Sequence, residues 1–279
     1  MDTVHYEHEK PGYILLTPRH IPARTGNTYQ QLITLDLLPE VIELCTKSDV
    51  TAIDFETNGA EYHLGIQAVG VGLAWDTGSC YLHLSTLTSE EYDYVFEQLG
   101  TIPRLIAHNI YFDGGVFLQN LGRHPDWHVC TYQLLSSLAN DSILIKWGLK
   151  ESMTNLLLWD NTNTEELDLW LIENGHTKGT PPKDLLEVGI RECYITKRVK
   201  PEYGKMHLAP AEILGQYCVL DAEATYLLYK EILKPVAEEF PAVWEYVSDL
   251  LYVTRISIEQ KIYGLPVDRA GMQIGRAHV

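Results

Sequence analysis

Three short segments carry side chains whose types and spacing could do chemistry. In Ala52-Ile53-Asp54-Phe55-Glu56-Thr57 the two acids stand two apart. On an extended strand such residues share a face. Two carboxylates side by side repel unless a cation lies between them, and oxygen ligands of this kind suit a divalent metal. The spacing alone is common, since Asp221-Ala222-Glu223 repeats it. The hydrophobic flanks, Val50 to Ile53 and Phe55, set the first pair beside a buried sheet. In His108-Asn109-Ile110-Tyr111-Phe112-Asp113 the amide and the acid are four apart, and so are Tyr217 and Asp221 further on. On a helix each of these pairs shares one face. Asn109 also reads as a helix N-cap, and both roles can hold together.

The elements that must position these residues follow from periodicity and turn chemistry. Residues 1–30 read as an extended arm, with Pro11, Pro18, Pro22 and Gly26-Asn27. The spacing of Leu37, Leu38, Val41, Ile42, Leu44 and Cys45 predicts a helix over 35–47. Strands are expected at Val50–Glu56, Ala68–Trp75 and Cys80–Leu84, the first ended by Asn58-Gly59. A helix then opens at Thr88 with a Thr88-x-x-Glu91 capping box and closes at Gly100. Arg104–Ala107 is a short buried strand, and Ile110–Leu121 is a helix stopped by Gly122. The order β-β-β-α-β-α predicts an α/β fold, a mixed β-sheet flanked by helices. Residues 127–215 read as mainly helical, with a polar loop or inserted excursion at Asn161–Lys183. Ala211–Leu233 is a helix ended by Pro235, and Phe240–Tyr263 another, ended by Gly264, whose apolar face is expected to need a partner.

Composition narrows the class. Five widely spaced cysteines without a C-x-x-C pair favour reduced thiols over disulfides or zinc. No apolar run approaches a membrane span, and the acidic N-terminus is unlike a signal peptide, so a soluble, cytoplasmic protein is expected. A net charge of −17 argues against a general duplex binder. It suits an enzyme that grips a few nucleotides of single strand, with acids gathered around bound cations.

Taken together, Asp54-x-Glu56, Asn109-x-x-x-Asp113 and Tyr217-x-x-x-Asp221 resemble, in order and spacing, the tyrosine-containing branch of the DEDD superfamily of 3′→5′ exonucleases. The resemblance covers about residues 48–235 and implies a ribonuclease H-like fold. It is strongest to the proofreading domain of family A, DNA polymerase I-type enzymes, especially phage ones. Ile256-Ser-Ile-Glu-Gln-Lys-Ile-Tyr-Gly264-Leu-Pro-Val-Asp268 resembles the start of the polymerase module of that family, truncated here before any polymerase catalytic motif. Residues 1–47 are then an N-terminal arm and helix, and 236–273 the opening of that module. The last six residues, Ile274-Gly-Arg-Ala-His-Val279, match a translated sequencing adapter and read as an artefact. Cys130 stands where many relatives have Asp before Thr131, outside the metal-binding set, and the region 160–205 is longer than the family pattern.

The resemblance implies that Asp54, Glu56, Asp113 and Asp221 bind two Mg²⁺ or Mn²⁺ ions, that Tyr217 orients the attacking water, and that Glu56 bridges a metal and that water. Thr57 and Asn109 are implied contacts to a single-stranded or frayed DNA 3′ end. Phe112 or Tyr111 stacks on a base or packs in the core. The implied partners are that DNA end and the polymerase module of the parent chain. A ribonuclease D-like RNA exonuclease shares the same site, and an inactive scaffold would have lost some of these ligands.

Overall fold

A computed structural model describes residues 16–23, 32–59, 65–139, 148–159 and 162–264. Most of the arm, the junction beyond Gly264 and the last six residues lie outside the described residues.

The chain opens with β1 (Leu32–Ile33), a 3-10 turn (Leu35–Leu37) and α1 (Leu38–Lys47). Then come β2 (Thr51–Thr57), β3 (Ala68–Trp75) and β4 (Gly78–His83), followed by α2 (Ser89–Leu99), β5 (Leu105–Ala107), α3 (Ile110–Leu121) and β6 (Trp127–Cys130). The sheet is six-stranded, in the order β1-β4-β3-β2-β5-β6. β2, β3 and β4 form an antiparallel meander, while β5 runs parallel to β2 and β6 parallel to β5. This is the mixed, helix-flanked sheet expected from the element order. The capping box forms as the sequence predicts, with Thr88 and Glu91 satisfying each other's backbone groups at the start of α2.

Both faces of the sheet are covered, because strand side chains alternate. On one face Ile53 and Phe55 of β2 join Val71 and Leu73 of β3 and meet Phe96 of α2 and Phe117 of α3. The three phenylalanine rings lie 5.3–5.8 Å apart, one pair stacked and two edge-on. The other face carries Asp54 and Glu56 and is covered by the helix Ala211–Leu227.

The second half of the chain contains α4 (Thr131–Leu138), α5 (Leu149–Asn155), α6 (Thr162–Glu173), α7 (Leu185–Val188), α8 (Ile190–Ile195) and a 3-10 turn (Tyr203–Leu208). It ends with α9 (Ala211–Leu227), a π-helix (Leu228–Leu233), α10 (Lys234–Glu238) and α11 (Pro241–Tyr263). β1, between the expected arm and the expected helix, has only two residues, too few for a periodic signal. Three expectations are corrected here. β6 falls where helix was expected; it has only four residues, with His128 alone exposed, too few for a periodic signal. The stretch after Asn161 is α6 through Glu173; its first five residues are polar, and its buried residues Leu167, Asp168, Leu171 and Ile172 begin only after them. Pro235 does not end the helical run but follows the π-helix as the second residue of α10.

The apolar face of α11 is not left bare. Val247, Leu251, Thr254 and Ile258 are buried, with Leu251 and Ile258 in the same core as Phe117 and Trp127. Tyr246, Tyr252, Val253 and Tyr263 on its outer face stay exposed.

Candidate active site

The site begins with the glycines of β3. Asp54 lies opposite Gly72 and Glu56 opposite Gly70. A Cβ at Gly72 would come within 2.7 Å of the Cys218 carbonyl oxygen on α9. A Cβ at Gly70 would meet the Tyr81 hydroxyl at 2.0 Å. The bare backbone of β3 therefore lets α9 settle onto the sheet beside the two acids. Tyr217 and Asp221, one turn apart on α9, arrive next to β2. The β2–β3 register shifts between Glu56 and Thr57, a bulge of the kind that re-aims a side chain at the edge of a site.

The second wall comes from the turn between β5 and α3. Asn109 holds the N-cap position of α3, but its side chain makes no capping hydrogen bond. Its carbonyl takes that load, accepting from the Phe112 and Asp113 N–H groups at 2.8 and 3.4 Å. Asp113 is buried, and its Oδ1 accepts from the Phe55 N–H at 3.2 Å, which ties α3 to β2.

A cleft of about 300 Å³ is lined by Asp54, Glu56, Asn109, Phe112, Asp113, Tyr217 and Asp221. Seven of the nine residues singled out in the sequence thus meet in one place. Thr57 lines an adjoining cavity of about 230 Å³ that shares Phe55, Glu56 and Phe112 with the cleft. Tyr111, the alternative to Phe112, is more exposed, and the Lys261 ammonium lies 5.2 Å from its ring centre.

Several residues of the cleft are missing from the sequence reading. Lys150 of α5 donates to Asp221, and its ammonium stands 4.0 Å from the centre of the Tyr217 ring. Tyr203 and Met206 of the 3-10 turn, with His108, Phe55 and Leu149, complete the lining, and Lys150 stands behind it on Asp221 and Tyr217. No local pattern marks Lys150, which lies 71 positions from Asp221.

The electrostatics are those of a crowded acidic centre. Burial, with the charge of Asp221 added to it, pushes the Asp54 carboxyl up to about 7. Burial and the charge of Asp54 push Glu56 and Asp113 well above the usual carboxylate range as well. Lys150 opposes these shifts at Asp54 and Glu56. One ammonium against four carboxylates leaves a strong demand for further positive charge.

The donor set indicates which cation would meet that demand. Asp54, Glu56 and Cys218 offer atoms within 4.8 Å of one another. Burial and the neighbouring carboxylates, Asp54 foremost, push the Cys218 thiol well above its ordinary value. The thiol donates to Asp54, at 3.4 Å to the carbonyl oxygen and 3.6 Å to Oδ2. The donor set of the cleft is dominated by carboxylate oxygens, which fit Mg²⁺ or Mn²⁺.

No protein-family model matches the chain, and no curated protein matches it in sequence. Solved structures do share its fold. An apo nuclease superposes with a TM-score of 0.52 at 15% identity, covering 84% of this chain and 91% of the nuclease. Brucella melitensis NrnC bound to pGG gives 0.52 at 16% identity, covering 78% of this chain and 87% of NrnC. Trypanosoma brucei RNase D in complex with GMP gives 0.52 at 15% identity, covering 86% of this chain and 67% of the RNase D chain. The chain has the fold of these nucleases. Among its described residues, no helix is long and apolar enough to cross a membrane.

Proposed function

We propose that this chain is a metal-dependent 3′→5′ exonuclease that releases 5′-mononucleotides from DNA 3′ ends. We read it as a cytoplasmic protein and as the proofreading portion of a DNA polymerase I-like enzyme whose polymerase module begins near residue 236. The observation that carries the nuclease reading is the convergence of Asp54, Glu56, Asp113, Tyr217 and Asp221 on one cleft. That this happens on a fold shared with solved nucleases supports it further.

In this reading Asp54, Glu56, Asp113 and Asp221 hold two Mg²⁺ or Mn²⁺ ions. When bound, such a pair stabilises the attacking and leaving oxygens of an in-line phosphoryl displacement and lowers the pKa of the attacking water. Burial and the Asp221 charge keep the Tyr217 phenol protonated well above its ordinary pKa, so its O–H can fix the position of that water. Glu56 accepts a hydrogen bond from the same water and turns its lone pair toward the terminal phosphodiester. The O3′ of the penultimate nucleotide leaves, and the released nucleotide keeps the phosphate. Thr57 and Asn109 hold the terminal nucleotide, and Phe112 borders it.

A ribonuclease D-like reading on RNA is favoured by the likeness to the trypanosomal RNase D. The Gly264-to-Asp268 junction favours DNA and a polymerase context. An inactive scaffold is disfavoured by the full set of acids plus Tyr217.

The test is a 5′-labelled, 3′-recessed DNA primer and a matching RNA strand, incubated with Mg²⁺, Mn²⁺ or EDTA. The expected result is a metal-dependent ladder of shortened DNA that Asp54→Ala abolishes. Faster shortening of RNA would transfer the proposal to the ribonuclease reading, and no shortening of either by folded, metal-loaded protein would overturn both.

A further inference from the structure

The excursion between α5 and α9 ends at the active-site cleft. Its 3-10 turn brings Tyr203 and Met206 to the cavities that Phe112 also lines. The same three side chains border both the acidic cleft and the adjoining cavity of about 230 Å³ that reaches Thr57. Apart from Glu56 and Thr57, the side chains of this cavity are aromatic or apolar. Tyr203 is 45% exposed, so its ring is open to a ligand.

The turn is held in place from beneath. Leu167 and Leu171 of α6 are fully buried against Val69, Ala209 and Leu214, and Met206 packs on the same cluster. Asp168, one residue on from Leu167, is 3% exposed and accepts from the Tyr194 hydroxyl at 2.7 Å. The Tyr203 hydroxyl lies close enough to the same carboxylate to feel its charge. A bridge between Thr177 and Pro201 closes the excursion just before the turn. Such a scaffold presents the ring in one orientation, which lowers the ordering cost of a stacking contact.

We infer that Tyr203, backed by Met206, is a base platform: with Phe112 of the same cleft it forms a slot that takes the nucleobase of the nucleotide beside the carboxylates. The excursion is then a part of the substrate site and not a passive insertion. This rests on the exonuclease reading for its chemistry, but the contact itself is a binding event that needs no turnover. Aromatic stacking of this kind tolerates every base, because each has a π-face.

The test separates the base from the rest of the strand. A short 5′-labelled single strand is titrated by fluorescence anisotropy, once with an ordinary 3′-terminal nucleotide and once with an abasic one. The protein carries Asp54→Ala to prevent cleavage, with or without Tyr203→Ala or Tyr203→Phe. Tyr203→Ala is expected to weaken binding of the ordinary end by about tenfold, within the range of a single base–aromatic contact. It should leave the abasic end within about twofold, and Tyr203→Phe, which keeps the ring, should behave like the parent. An equal loss on both ends, or no loss on either, overturns the platform, as does failure to bind either strand. If the base-dependent loss appears while the unmutated protein cuts neither DNA nor RNA, the platform stands and the exonuclease reading falls.

Discussion

The Lys150 ammonium sits 4.0 Å from the centre of the Tyr217 ring while it donates to the Asp221 carboxylate one turn further along α9. A single cation thus braces both functional residues of that helix, from a position where the acidic centre needs positive charge. Lys150→Met keeps the length of the side chain and removes the charge. Breaking a buried pair by deleting one partner costs about 3–5 kcal/mol. Because the Lys150 side chain is 30% exposed, solvent screens part of that loss. In EDTA at pH 8 we expect the variant to be about 1–2 kcal/mol less stable, a Tm lower by roughly 2–6 °C. Saturating Mg²⁺ should raise the Tm of Lys150→Met more than that of the parent, because the metal restores the missing charge. Equal Mg²⁺ increments would show that Lys150 does not compensate the metal centre.

The crowded carboxylates also make metal-free stability depend on pH. Asp54 has a folded value of about 7 against 3.8 for the ordinary group, so the native state keeps a proton that the unfolded chain has released. Its contribution to stability is undiminished below about pH 4 and is lost as pH rises toward 7. His83 and His128 tilt the other way, because burial lowers their pKa. The effect of Asp54 is therefore read as a difference. Asp54→Asn should gain stability over the parent in EDTA, by nothing at pH 4 and by about 1–3 kcal/mol at pH 8. With saturating Mg²⁺ the advantage should vanish or reverse. Urea midpoints across this range decide it; a gain that shrinks with rising pH would refute the assignment.

The sheet order and the site were legible in the sequence to different depths, for physical reasons. Asp54, Glu56, Asp113, Tyr217 and Asp221 could be found because strand and helix periodicities place them on shared faces of strong local elements. Gly72, which admits α9, stood in plain view, but its purpose depends on Cys218, which lies about 150 residues away in the chain. Lys150 and Tyr203 reach the cleft from segments whose local pattern says nothing of their destination. β6 failed as a strand because four residues, with only His128 exposed, are too few to carry a periodic signal. α6 failed as a helix because Thr162 to Glu166 are all polar and its buried residues begin only at Leu167.

Helix α11 tests how far the body that holds the site extends. Ile258 is 1% exposed, and its Cδ1 lies 2.8 Å from where a Cβ on Gly114 would stand. Gly114 is on α3 next to Asp113, so α11 supports the helix that carries one of the acids. Ile258→Ala should cost about 2–5 kcal/mol, the usual range for a buried aliphatic truncation. Chemical unfolding with an unchanged denaturant slope and a lowered midpoint is the expected record. An unchanged midpoint would mean that α11 is dispensable to the exonuclease fold, and that it belongs energetically to whatever follows residue 264.

Gly72 links packing to chemistry most directly. A methyl group there would stand 2.7 Å from the Cys218 carbonyl oxygen and 3.0 Å from its sulfur. The first contact is backbone, so no rotamer change relieves it, and α9 must lift from the sheet. Overpacking of this kind costs about 1–3 kcal/mol. Tyr217 flanks Cys218 and Asp221 follows one turn later, so any lift carries both away from Asp54 and Glu56. A misplacement of about 1 Å in a reacting constellation can cost around a hundredfold in rate. Gly175 supplies the comparison. It has φ +77° and nothing within 4 Å of its would-be Cβ, so Gly175→Ala is strained by backbone alone and lies outside the cleft. That strain should destabilise by about 1 kcal/mol. Gly72→Ala is expected to lose ten- to a hundredfold in kcat, in line with the order of magnitude for misplaced groups, while Gly175→Ala keeps kcat within about twofold. If the two variants fall together in kcat at matched fractions of folded protein, the close seating of α9 on β3 is not what positions Tyr217 and Asp221.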